Sequence, residues 1–204
     1  MIAAVTGEDL FPGLSKTHII LGNLGWRFGH LTNDTSLIFL CQLVRVLDAH
    51  LVLEFGTFTG RTTYNLALNM PDNGRIYTLD IGRPTDTSNV ANRNYENYVP
   101  GECFLSADEG IKKKIVPILA DSRSYPISQE LSNVNLVIID GGHEYEVICS
   151  DTINALKVLR KGGVIVWDDY SPYWPGVKRL VDELSVNVRL FGLPREGFII
   201  FKNA

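Results

Sequence analysis

Two hydrophobic rhythms run along this chain. Residues 33–49, NDTSLIFLCQLVRVLDA, place Leu37, Leu40, Cys41, Val44 and Leu47 at helical spacing, with Asn33 or Asp34 able to cap the helix. From residue 50 onward, short apolar runs take turns with helical patterns. HLVLEF (50–55), GRIYTLD (74–80), KIVPILAD (114–121), NLVIID (135–140) and VIVWDD (164–169) read as strands. RTTYNLALNM (61–70), YEVICSDTINALKVLR (145–160) and GVKRLVDELS (176–185) read as helices, with KGG stopping the second of them. VNVRLF (186–191) and GFIIFKN (197–203), around the turn GLPRE, read as an antiparallel pair. Strands that lack polar alternation and are separated by helices belong to a parallel sheet covered on both faces. The expectation is therefore an α/β, doubly wound domain with a mostly parallel seven-stranded sheet and an antiparallel strand pair at its C-terminal end.

Two stretches resist this pattern. Residues 1–32 carry glycines at 7, 13, 22, 25 and 29 and aromatics at Phe11, Trp26 and Phe28, and they read as an N-terminal arm to a single domain of residues 33–204. Residues 83–112 show no helical pattern that fills them, and a connection that long is usually functional or mobile. A length of 204 residues, 45% hydrophobic and 21% charged, is enough for one sizeable core. The net charge of −4 and pI near 5.6 argue against a nucleic-acid partner held through phosphates. The longest basic run, Lys112 to Lys114, reads as solvated surface. LIFLCQLVRVL (37–47) is the most apolar stretch, but Gln42 and Arg45 interrupt it and it is too short to span a bilayer, so no membrane partner is expected. The start, MIAAVTGEDL, lacks the basic opening of a signal peptide, and Cys41, Cys103 and Cys149 are odd in number and far apart. Reduced thiols and a cytoplasmic location are the expectation.

Chemistry gathers at one edge. Ligands of open parallel sheets bind beyond the carboxyl ends of the strands. Those ends carry Glu54, Asp80, Asp121, Asp140 and the pair Asp168-Asp169, so all five strands finish in an acid. Any one of them alone could be a surface residue or a helix cap. Crowded carboxylates repel, and together they imply a ligand with hydroxyls, amino groups or positive charge, or a metal. After Glu54 comes a turn, GTFTG, with Gly56 and Gly60 spaced G-x-x-x-G. Thr57 and Phe58 stand where a dinucleotide fingerprint needs its second glycine, which disfavours a pyrophosphate.

The pattern acid-x-G-x-x-x-G resembles the first motif of class I S-adenosylmethionine-dependent methyltransferases. The resemblance covers most of residues 50–185. IIDGGHEYEVICSDTINALKVLRKGGVIVWDDYSPYWPGVKRLVDEL is similar to a bacterial small-molecule O-methyltransferase subgroup. It implies a Rossmann-like methyltransferase fold and S-adenosylmethionine as cofactor. It also implies cofactor contacts at Glu54, Gly56, Thr57, Gly60 and Asp140, ribose hydroxyls on Asp80, and adenine held by Asp121 and Ser122 of the ADS segment. Relatives that use a divalent ion place one Asp after the fourth strand and an acidic or amide pair after the fifth. Asp140, Asp168 and Asp169 match those positions, and three oxygen ligands suit Mg²⁺ or another divalent cation. Consecutive strand residues face opposite ways, so Asp168 and Asp169 converge only where the strand has already turned. The alternative is that Asp140 binds cofactor, Asp168 is buried and hydrogen-bonded, and Asp169 caps a turn.

His143, three residues beyond Asp140, is the candidate catalytic base beside Asp140, since an imidazole titrates near neutrality. It could instead cap the helix that starts near Tyr145. His50 reads as structural, while His18 and His30 sit in the arm. Trp26, Tyr170, Tyr173 and Trp174 are candidate walls for a pocket that takes a small-molecule hydroxyl, phenolic or sugar-like. Rival readings are an NAD(P)-dependent oxidoreductase on a Rossmann-type fold and a non-catalytic domain that binds a cofactor or partner. A homo-oligomer is left open.

Overall fold

The computed structural model describes residues 2–22, 33–82 and 99–204. Trp26, Phe28, His30 and most of the 83–112 connection lie outside the described residues. The elements of the central fold are β2 (Leu51–Phe55), α3 (Arg61–Asn69), β3 (Arg75–Asp80), β4 (Ile115–Leu119), β5 (Val134–Ile139), α7 (Tyr145–Val158), β6 (Leu159–Trp167) and α8 (Pro175–Leu184). Before them come β1 (Ala3–Ala4), the one-turn helix α1 (Gly7–Leu10) and α2 (Asp34–Val46), and after them β7 (Phe191–Leu193) and β8 (Phe198–Lys202). Three further one-turn helices flank β4: α4 (Glu102–Leu105), α5 (Glu109–Lys112) and α6 (Ile127–Glu130).

Among the described residues the strands form one sheet of eight in the order β1-β7-β8-β6-β5-β2-β3-β4. Strands β4, β3, β2, β5 and β6 are parallel, and β8 runs antiparallel between β6 and β7. The seven expected strands are present. The eighth, β1, pairs in parallel with β7 through two residues, Ala3 and Ala4, too few to leave a periodic trace in the sequence. Other boundaries move. Strand β6 starts at Leu159, ahead of the two glycines, and its pairing with β5 slips between Val134 and Leu136. Strand β7 occupies Phe191–Leu193, so it shares only Phe191 with the expected 186–191 run and otherwise lies in the expected turn, because the hairpin closes between Leu193 and Phe198. Asn33 caps α2, accepting a hydrogen bond from the Ser36 N–H at 3.0 Å.

Alternate strand residues feed two cores. Val52, Leu136, Ile138, Val164 and Val166 pack under α2 and α3, together with Leu10, Phe11 and Leu14 from the N-terminal segment. Leu53, Phe55, Val137, Ile139, Ile165 and Trp167 pack under α7 and α8. This is the burial on both faces that apolar strands demand. The chain winds outward through β2, β3 and β4, then returns to the other side of β2 for β5 and β6. The crevice at that switch point, between the carboxyl ends of β2 and β5, is where a doubly wound sheet takes its ligand.

Candidate active site

At the switch point the backbones of two strands close on each other. Gly56 leaves β2 with φ of +96°, and its N–H donates to the Leu79 carbonyl at 2.8 Å. Asp140 N–H donates to the Phe55 carbonyl at 2.9 Å. A Cβ on Gly56 would overlap the carbonyl oxygen of Asp140 and stand 3.0 Å from Gly141 Cα. The glycine is thus required by the approach of β5 itself, before any ligand is considered. Gly60, φ +77°, is packed in the same way: a Cβ there would lie 2.5 Å from the Phe104 ring. Gly101 N–H donates to the Phe58 carbonyl at 2.8 Å and Cys103 N–H to that of Thr59 at 2.9 Å. The described end of the long connection is therefore docked on the glycine turn.

Asp80 organises this turn. Its Oδ2 accepts from the N–H groups of Thr57 and Phe58, each at 2.8 Å, and its Oδ1 from Gly82 N–H at 2.7 Å. An ionised carboxylate has about four acceptor positions, so Oδ1 retains capacity for a ligand hydroxyl while Oδ2 is committed to the loop. Glu54 behaves differently. It is 2% exposed and lies beneath the turn, with hydroxyl donors Thr63 and Thr78 on its Oε2. Thr78 is linked onward to Thr57 Oγ1 at 2.6 Å.

Ser122 stands beside α7, whose Asn154 amide donates to its carbonyl at 3.3 Å. Asp121 is taken up by Arg123, whose guanidinium reaches its Oδ2 at 2.6 Å and holds the carboxyl down to about 2. Ser122 is buried near Asp151 of α7, whose carboxyl burial pushes up to about 6.

Beyond β5 and β6, Asp140, His143 and Asp169 come together. Each offers one ligand atom, and these lie within 4.8 Å of one another. His143 Nε2 is 2.7 Å from Asp169 Oδ2, and its ring stacks on Trp174 with centroids 3.8 Å apart at 16°. The strand has turned by Asp169, which sits at φ +59°. Asp168 stays out of this trio: its Oδ1 accepts the Asp169 N–H at 2.7 Å, and burial, reinforced by the Asp169 charge, raises its carboxyl to about 6. Glu144, not His143, occupies the cap position of α7. Gly176, at the start of α8, backs onto this group. A Cβ there would overlap the His143 carbonyl and lie 2.7 Å from Tyr145 N.

Of the proposed walls, Tyr170 is tied to α8 by a 2.7 Å bond from its hydroxyl to Asp182, whereas Tyr173 is 89% exposed. His18 is exposed, and His50 pairs at 3.4 Å with Asp48 at the opposite end of β2. The roles of Arg123, Thr63, Thr78 and Gly176 went unread in the sequence. Only the Asp-Ser-Arg spacing offered a signal, since residues two apart at a strand end can pair.

Residues 53–170 match the family model described as "Methyltransferase domain", and the chain belongs to that family. A probable caffeoyl-CoA O-methyltransferase of Arabidopsis thaliana is 25% identical over 135 residues, 63% of this chain and 51% of that protein. A flavonoid 3',5'-methyltransferase of Vitis vinifera is 26% identical over 155 residues, 71% of this chain and 57% of that protein. The chain spans about half the length of the curated relatives it matches. Among solved structures, the O-methyltransferase from Bacillus cereus in complex with S-adenosylhomocysteine superposes with a TM-score of 0.60 at 19% identity, covering 97% of this chain and 90% of that one. The TDP-rhamnose 3'-O-methyltransferase of calicheamicin biosynthesis gives 0.59 at 20% identity, over 96% and 92%. The fold is that of these methyltransferases. Among the described residues, no helix is long and apolar enough to cross a membrane.

Proposed function

We propose that the protein transfers a methyl group from S-adenosylmethionine to a hydroxyl of a small molecule, phenolic or sugar-like. The observation that carries this reading is the meeting of the Asp80-bound glycine turn with the Asp140, His143 and Asp169 trio across the switch point. The turn fits a nucleoside better than a dinucleotide, because the Thr57 and Phe58 N–H groups donate to Asp80 and are not presented to a pyrophosphate. The remaining acceptor capacity of Asp80 suits a ribose hydroxyl, and Asp121 and Ser122 stand on the adenine side. S-adenosylmethionine supplies an electrophilic methyl group on a sulfonium.

His143 would accept the proton of the acceptor hydroxyl. Asp169 holds one ring nitrogen and Trp174 fixes the ring plane, which together leave Nδ1 as the proton acceptor. A second reading rests on the same trio, since two carboxylates and an imidazole suit a divalent cation. Asp140, His143 and Asp169 would hold it, and it would supply acidification of the acceptor hydroxyl. The two roles of His143 exclude each other, because a neutral imidazole that ligates through one nitrogen carries its proton on the other and has no lone pair left for a second.

Titration calorimetry with S-adenosylhomocysteine and NAD, with and without Mg²⁺, tests the reading. S-adenosylhomocysteine is expected to bind and to raise the melting temperature by mass action. Tight NAD binding with no response to S-adenosylhomocysteine would sink it. Once an acceptor is known, activity that survives a chelator supports the base, and activity restored only by a cation supports the second reading.

A further inference from the structure

Glu54 is a carboxyl buried in β2 between Leu53 and Phe55, immediately before the glycine turn. The elements packed around it present few charges. Helix α3 offers the Thr63 hydroxyl, β3 offers the Thr78 hydroxyl, and β5 places Ile138 opposite it in the ladder. Asp80, at the end of β3, is the charged group whose field reaches it. The Glu54 carboxyl is pushed up to about 7, chiefly by burial, with Thr63 and Thr78 opposing the rise and Asp80 adding to it. Its two charge states are therefore close to balance near neutral pH.

The carboxyl is also wired to the turn. Thr78 joins its Oε2 at 2.6 Å to Thr57 Oγ1 at 2.6 Å, and Thr57 N–H is a donor to Asp80. In a cleft where water is scarce, a positive charge on the ligand favours the ionised form of a buried acid, and a neutral ligand does not. S-adenosylmethionine and S-adenosylhomocysteine differ by one such charge, the sulfonium. Resting on the methyltransferase reading, we propose that Glu54 senses this charge: it is ionised while the sulfonium occupies the cleft and is reprotonated once the neutral sulfide is left.

The balance closes. Donor binding sends the Glu54 proton to solvent. In transfer, the carbon–sulfur bond breaks with its electron pair kept by sulfur, and the carbon–oxygen bond forms. The hydroxyl proton passes to His143 and on to solvent, and Glu54 recovers a proton from solvent. The consequence is a cleft that prefers donor to product where Glu54 can ionise, and that loses the preference at lower pH.

The experiment is calorimetry on the intact chain near pH 7 in two buffers of different ionisation enthalpy, with each ligand, on the wild type and on Glu54→Gln. The wild type should release more protons with S-adenosylmethionine than with S-adenosylhomocysteine. Its preference for the donor should grow roughly 3–10-fold from pH 6 to pH 8. Both differences should shrink to the ligands' own amino-group contribution in Glu54→Gln, which titrates identically in that variant. Proton counts that do not differ between the two ligands in the wild type would overturn the inference, and that measurement needs no variant to fold. A donor preference that keeps the full wild-type pH dependence in Glu54→Gln would overturn it as well. Failure of both ligands to bind would instead remove the reading of the cleft, and this inference with it.

Discussion

The carboxylates at the strand ends divide by what they touch. Asp80 is bonded to the glycine turn after β2, Asp121 to Arg123, Asp168 to the Asp169 backbone, and Asp140 and Asp169 turn toward His143. That all of them sit at one edge was legible, because a strand's last residue is set by where its apolar run stops. Their partners were not, because each comes from a loop whose path depends on tertiary packing. His143→Ala tests the reading where it is most exposed. Loss of a general base should lower turnover by roughly 10²–10⁴-fold, with part of the loss regained at high pH, where the acceptor hydroxyl ionises unaided. A pH-rate profile of both proteins measures this, and an unchanged profile would place the base elsewhere. Gly56 is a different case. The sequence suggests a glycine that admits a ligand, but its missing Cβ is demanded by the Asp140 carbonyl and by φ of +96°. Gly56→Ala should therefore destabilise the chain by roughly 3 kcal/mol or more, read from the urea midpoint without any ligand present.

At the scale of elements, the five parallel strands and the helices α2, α3, α7 and α8 were legible within a few residues, since burial on one face or both imposes a period. β1 and the true bounds of β7 were not. Two exposed alanines carry no pattern, and β7 is defined by the hairpin register rather than by its own sequence. Helix α8 deserves a prediction of its own. Pro175 opens it, and Trp174 and Gly176 on either side meet His143, one through its ring and the other through its backbone. The helix start thus sets where the imidazole stands. Gly176→Ala would push the 143–145 backbone away from α8 and loosen the pair with Asp169. Turnover should fall roughly tenfold or more with little change in cofactor affinity, because misplacement by about 1 Å at the reacting group is costly. Equal loss of turnover and of S-adenosylhomocysteine binding would instead mean that the whole cleft had moved.

The molecule as a whole places three acids where ionisation is opposed: Glu54 and Asp151 on the two sides of the sheet, and Asp168 at the end of β6. Glu54 lies on the α3 side with its carboxyl raised to about 7, and the carboxyls of Asp151 on α7 and of Asp168 are each raised to about 6, burial being the leading cause for all three. A carboxyl whose folded pKa is raised binds its proton more tightly in the native state than in the unfolded chain. Its contribution is fully present below the unfolded value near 4 and is lost as pH rises through the folded value. The acids pulled the other way, such as Asp121, Asp182 and Glu183, are ionised in both states above pH 5 and add no slope there. Stability of the ligand-free protein should therefore fall between about pH 5 and pH 8, by roughly 3–5 kcal/mol if the three acids act independently. Scanning calorimetry across that range measures it. Glu54→Gln should remove most of the slope above pH 7, where Asp151 and Asp168 have largely finished titrating, and should melt several degrees above the wild type at pH 8. A wild-type melting temperature that is flat or rising from pH 5 to pH 8 would show that Glu54, Asp151 and Asp168 ionise in the native state as readily as in the unfolded chain.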